Sequence, residues 1–151
     1  MSSPTVHDRK PGLAATVMRV VLGAFLLLAG VGHLSWARDE FQAQVPSWFP
    51  VDADLVVLAS GVVEVVLGAS LVALPRYRVV VGWATAAFFV VIFPGNIAQF
   101  VEGKDGFGLD SDAARATRLL FQPVLVVWAL WSTGAWAART TRPLTRDGGD
   151  G

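Results

Sequence analysis

The stretch Ala59-Ser60-Gly61-Val62-Val63-Glu64-Val65-Val66-Leu67-Gly68-Ala69-Ser70-Leu71-Val72-Ala73-Leu74-Pro75 sets a single carboxylate, Glu64, among aliphatic residues on both sides. A water-soluble amphipathic helix gathers its charges on one face and its apolar residues on the other. This run does neither, and it reads as a bilayer span. Glu64 then lies near the middle of the hydrocarbon, where an ionisable group costs at least about 2.5–3.5 kcal/mol on insertion scales. Some partner has to offset that cost.

The rest of the chain agrees. Of its 151 residues 54% are hydrophobic and 16% charged, which is membrane composition, and the length suits one domain. A helical span needs roughly 20 apolar residues. Four stretches qualify, Leu13 to Leu34, Leu55 to Leu74, Val79 to Phe100 and Leu119 to Ala138. The expected fold is therefore all-α, an integral membrane four-helix bundle over residues 13–138 between polar, disordered tails at 1–12 and 139–151. Arg9 and Lys10 before the first span resemble a signal-peptide start, but the run is long and no small-residue cleavage site follows, so it reads as a retained span.

Lysine and arginine placement gives the orientation. Arg9, Lys10, Arg76, Arg78, Arg139, Arg142 and Arg146 fall on the side of the two tails, against Arg38, Lys104, Arg115 and Arg118 opposite, so both termini are predicted cytoplasmic. The first connector, Ser35 to Asp54, carries Pro46 and Pro50, which forbid a continuous helix, with Trp36, Trp48 and Phe49 suited to the headgroup level. Pro75 to Arg78 is so short that the second and third spans must be antiparallel neighbours, and Val101 to Arg118 reads as an exposed loop.

Several chemistries are excluded. There is no cysteine, hence no disulfide, thiol couple or self-held iron–sulfur cluster. The two histidines are His7, in the tail, and His33, so a haem held by two histidines inside the bundle is ruled out. Asp105, Asp110 and Asp112 lack the spacing and terminal glutamate of a calcium loop, and no metal site is expected. Zero net charge gives no nucleic-acid footprint.

The polar residues inside the spans are the candidate functional core. Arg19, Gly23, Leu26, Gly30 and His33 share one face of the first span, and Gly61, Glu64, Gly68 and Leu71 one face of the second. Glycines beside charges mark faces that approach other helices closely. From span ends and a 1.5 Å rise, Arg19 lies about 9 Å and Glu64 about 15 Å from the cytoplasmic side, so an Arg19–Glu64 ion pair is the economical expectation, with a snorkelling Arg19 as its alternative. Ser60, one turn outward of Glu64, reaches either that carboxylate or its own helix backbone. A second polar layer lies nearer the outer surface. It comprises Asn96 and Gln99 on the third span beside Pro94, expected to kink the helix, and Arg118 with Gln122 on the fourth, converging with His33. The pentapeptide Val20 to Ala24 recurs at Val65 to Ala69, which reads as low complexity.

In order and spacing these motifs resemble the DoxX-like family of small four-helix bacterial membrane proteins. The match runs from Met18 to Trp131 through Arg19 with Leu22-Gly23, Gly30 with His33, Val45-Pro46, Ser60-Gly61 with Glu64, Gly68, Pro75-Arg76, Phe93-Pro94 with Asn96-Ile97, and Gln122. Leu34 stands where an aromatic often follows the histidine, and Gly95 where alanine is frequent. The resemblance implies a bacterial inner (plasma) membrane protein, with some relatives acting as subunits in quinone-coupled sulfur oxidation and others associating with oxidative-stress enzymes. It carries over to Arg19, His33, Glu64, Asn96 and Gln122.

The leading expectation is a quinone-interacting subunit of a membrane redox complex, in contact with lipid and with a membrane or peripheral redox protein. Glu64 and His33 would be its acid–base pair, although an axial separation of about 15 Å argues against direct cooperation without water or Ser60 between them. The alternatives are a non-catalytic assembly or interaction subunit, able to self-associate through its glycine faces, and a proton or small-solute pathway.

Overall fold

A computed structural model describes residues 11–106, 108 and 110–140; the expected tails fall almost wholly outside them, as does His7. The described residues are mostly helical, with no strand among them. Helices α1 (Leu13–Leu34), α3 (Ala53–Ala73), α4 (Arg78–Val101) and α5 (Asp112–Ser132) are each long and apolar enough to cross a membrane. Two short helices, α2 (Arg38–Gln42) and α6 (Ala135–Thr140), follow α1 and α5.

Local chemistry sets the ends. Asp52 caps α3 by accepting from the amides of Asp54 (3.0 Å) and Leu55 (3.2 Å). Ser111 caps α5 by accepting from Ala114 (3.3 Å), so that helix begins seven residues before the expected Leu119 and converts the end of the expected exposed loop into helix. Arg115 is consequently buried. The same helix stops at Ser132 rather than Ala138 because Gly134 takes φ +74°, and Arg139 belongs to α6 instead of a tail. Hydropathy alone cannot see a serine cap or a left-handed glycine.

Two antiparallel pairs make the bundle. In α1 and α3, a Cβ on Gly23 would lie 2.9 Å from the Gly68 carbonyl and one on Gly30 2.7 Å from that of Gly61, so only glycine permits this approach. The repeated pentapeptides thus place their glycines face to face. In α4 and α5, Gly82 meets Thr133 equally closely. Leu22, Leu26 and Leu71 join Phe89, Leu125 and Ala129 in the core between the pairs. Trp128 ties the pairs together by donating to the Met18 carbonyl (3.0 Å). Helices α3 and α4, although consecutive, meet only loosely. Outward, Leu28, Val62, Val66, Val90, Val91 and Leu120 are each more than half exposed, a surface compatible with lipid contact.

Candidate functional site

The glycine contacts fix the register of α1 against α3. Continued from Gly30–Gly61, it sets Leu27 level with Glu64 and places His33 about 9 Å further along the axis. Yet His33 Nδ1 lies 2.8 Å from Glu64 Oε2, both side chains buried. Side chains lean toward the N-terminus of their own helix. In antiparallel helices Glu64 and His33 therefore lean toward each other, whereas Arg19 leans away from Glu64. The expected Arg19–Glu64 pair does not form, and the expected gap between Glu64 and His33 closes. Arg19 instead donates to the carbonyl of Leu71, an acceptor left open because the residue four further on is Pro75, which has no N–H.

Nδ1 of His33 also lies 2.8 Å from the Ala29 carbonyl. Both neighbours offer acceptor oxygens, so Nδ1 is a ring nitrogen that carries a proton. That proton points at Ala29, and Glu64 Oε2, although close, receives no in-line hydrogen bond. The imidazole stacks on Phe41 of α2 at 3.2 Å between centroids and 16° between planes.

The second pair supplies amides. Asn96 Nδ2 donates to Gln122 Oε1 (3.0 Å), and Gln122 Nε2 donates to the Phe89 carbonyl (2.8 Å), in the turn before Pro94. The helix runs on through Pro94. Gln99 is buried elsewhere, donating to the Lys104 carbonyl (3.3 Å) at the end of α4. Ser60 resolves to the backbone alternative, donating to Val56 (2.6 Å).

Between the pairs lies a cavity of about 890 Å³. His33, Ser60, Glu64, Asn96, Arg118 and Gln122 all face it, and Gln99 and Arg19 do not. Leu55, Ala59 and Val63, one stripe of α3, line the cavity while being exposed, as does Val91 of α4, so it opens sideways where α3 and α4 part. Arg118 interacts electrostatically with Glu64 across it. Two further residues went unnoticed in the sequence, Phe41 and Gln44, whose buried Nε2 has no hydrogen-bond partner. Phe41 sits in the five-residue helix α2 and Gln44 in the turn after it, both too short for periodicity to carry a signal. Toward the other end of the bundle Leu22, Leu26 and Leu71 are at most 1% exposed and separate Glu64 from Arg19 with apolar packing.

Ion pairs pin the connectors above the cavity. Arg38 binds Asp54 through both carboxylate oxygens. Lys104 donates to the Val45 carbonyl (2.8 Å) and pairs with Glu102 (2.8 Å), which also accepts from Ser47 (3.0 Å). Lys104 and Ser47 hold the Glu102 carboxyl below the usual range. Asp105 and Asp112 serve Arg115 at 2.8 and 2.9 Å. Among the described residues no group of histidines and carboxylates is arranged to hold a metal ion.

A family model described as "Domain of unknown function (DUF8561)" matches residues 22–133, which include His33, Glu64, Asn96, Arg118 and Gln122 and leave out Arg19. No curated protein and no solved structure matches the chain.

Proposed function

The chain belongs to the DUF8561 family, and we propose that it is a multi-pass protein of a bacterial inner membrane whose cavity binds an isoprenoid quinone headgroup for a membrane redox complex. The observation that carries this reading is the cavity itself: apolar walls, a sideways opening between α3 and α4, and an imidazole–carboxylate pair beside an amide pair. An amphiphile with a long apolar tail can enter such an opening from lipid. Its carbonyl oxygens need donors, which the unpartnered Gln44 Nε2 and the Arg118 guanidinium supply. Glu64 and His33 are in contact and can hold or pass a proton at that end. Quinone chemistry would supply the redox step, with electrons from a partner redox protein. The resemblance to the DoxX-like family supports the same reading, and on it the lysine and arginine bias favours both termini on the cytoplasmic side.

The test is native mass spectrometry of the protein extracted from its own membrane in mild detergent. The expected spectrum retains an adduct at a quinone mass that Glu64→Gln loses. An adduct-free protein bound to stoichiometric partners would replace this reading with the assembly-subunit one, which Trp36 and Trp48, about two-thirds exposed beside the connectors, also favour. The third possibility, a proton or solute pathway, is disfavoured by the packed leucines on the far side of Glu64.

A further inference from the structure

Each of the four long helices lines the cavity only along the part nearer the connectors. The deepest lining residues are Phe25 in α1, Glu64 in α3, Phe88 in α4 and Leu125 in α5. Glu64, about 16 Å along α3 from its first residue, is the floor on that helix. At the other extreme Trp48, Phe49 and Val51 of the first connector line the cavity while exposed, so it opens at the connector face as well as sideways. Beyond the floor the bundle is closely packed, with Leu22, Leu71, Ala129 and Ala135 all 0% exposed. Thr85 and Thr133, equally buried, donate their hydroxyl protons to the carbonyls of Val81 (2.8 Å) and Ala129 (2.6 Å) in their own helices and relay nothing onward.

The polar groups of the cavity call for water. Glu64 is 6% exposed, and its Oε2, like Nε2 of Gln44, is buried without a hydrogen-bond partner. Leaving such a group unsatisfied costs about 1–3 kcal/mol, and a bridging water removes that cost. The ionisable lining consists of His33 from α1, Glu64 from α3 and Arg118 from α5, with none from α2 or α4. A polar wall that reaches from one face to mid-bundle above a sealed layer has the form of a half-channel. We infer that water enters the cavity from the connector face alone, and that Glu64 and His33 exchange protons with that aqueous phase and not with the opposite one. The sidedness holds for whatever ligand the cavity takes, so it stands apart from the quinone reading.

The chain has no cysteine, so a single introduced thiol is its own reporter. Only the thiolate reacts, and it forms only where water reaches it. The intact protein carrying one cysteine is reconstituted in liposomes and treated with a charged, membrane-impermeant methanethiosulfonate added outside. Ser47→Cys, exposed in the connector, and Arg76→Cys, exposed at the opposite face, count the two orientations. Ser60→Cys, a nearly isosteric change in the cavity wall, and Gln44→Cys, a second position in that wall, should label in the same fraction of molecules as Ser47→Cys. Their rates should rise about tenfold per unit of external pH below the thiol pKa of about 8.5, and ignore internal pH. Thr85→Cys, beyond the floor, and Val62→Cys, on the exposed side of α3, should stay unlabelled. Ser60→Cys as inert as Val62→Cys would overturn the proposal. So would labelling of Ser60→Cys in both orientations, labelling of Thr85→Cys, or a rate that follows the internal pH.

Discussion

Gly30 and Gly32 are two residues apart on one helix, both buried, and alanine should have opposite effects at them. A Cβ on Gly30 would stand 2.7 Å from the Gly61 carbonyl oxygen, 2.8 Å from Val65 Cγ2 and 2.9 Å from the Val65 amide nitrogen. Two of these neighbours are backbone, so no rotamer change relieves them and α1 must retreat from α3. Reaching ordinary contact requires a shift of about 0.5–0.7 Å, enough to forfeit a quarter or more of the dispersion energy of contacts along the seam. Overpacking typically costs about 1–3 kcal/mol, and rigid contact at several atoms puts Gly30→Ala near the upper figure. Alanine returns about 1 kcal/mol of helix propensity, leaving a net loss of about 2 kcal/mol. At Gly32 the nearest atoms lie at 3.7 Å, so Gly32→Ala keeps the propensity gain and should be neutral or stabilising. The assay is reversible unfolding in mixed micelles with sodium dodecyl sulfate, followed by intrinsic tryptophan fluorescence. Coincident midpoints for the two variants would refute the close approach of α1 and α3.

Two further predictions concern the other polar contacts. Asn96→Leu or Gln122→Leu alone should destabilise by about 1–3 kcal/mol by stranding a buried amide, while the double variant should cost less than the sum of the singles, as measured in the same micelles. The Glu102 carboxyl is depressed in the folded state by Lys104 and Ser47, so the contact stabilises fully above the unfolded value of 4.5 and is lost as pH falls through the lower folded one. Hydrogen exchange at residues flanking Glu102, corrected for intrinsic rates, should therefore accelerate below about pH 4.5 in the wild type and lose that dependence in Glu102→Gln.

The four spans were legible because hydropathy and helical period report the same thing, which side chains can face lipid. The glycine faces were legible for a related reason: small residues in a Val/Leu-rich stripe have few other uses. What stayed hidden was direction. Depth counted from span ends treats a side chain as a point on the axis, and for Arg19, Glu64 and His33 the lean toward each N-terminus reverses the conclusion about who meets whom. Gln99 shares the face of Asn96 by sequence, but lies one turn nearer the helix end and serves the connector backbone instead. The start of α5 depended on Ser111 and its end on Gly134, whose influence is local and independent of hydropathy.

On the proposed reading of the cavity as a quinone site, the state of the hydrogen bonds around it bears on which redox form it would favour. One N–H of Asn96 goes to Gln122, one of Gln122 to Phe89, and the Nδ1 proton of His33 points at Ala29. Glu64 Oε2 is left as a buried acceptor without an in-line donor. An acceptor in that condition gains most from a ligand that brings a hydroxyl, as the reduced form of a quinone does and the oxidised form does not. A hydrogen bond contributes about 0.5–1.5 kcal/mol net, so Glu64→Leu, which removes the acceptor, should weaken the reduced form by roughly 2- to 13-fold. The oxidised form, held by donors elsewhere in the cavity, should change far less. Anaerobic titrations of both forms, read by tryptophan quenching in detergent, compare them directly. An equal loss for the two forms would mean that Glu64 shapes the cavity without bonding the headgroup.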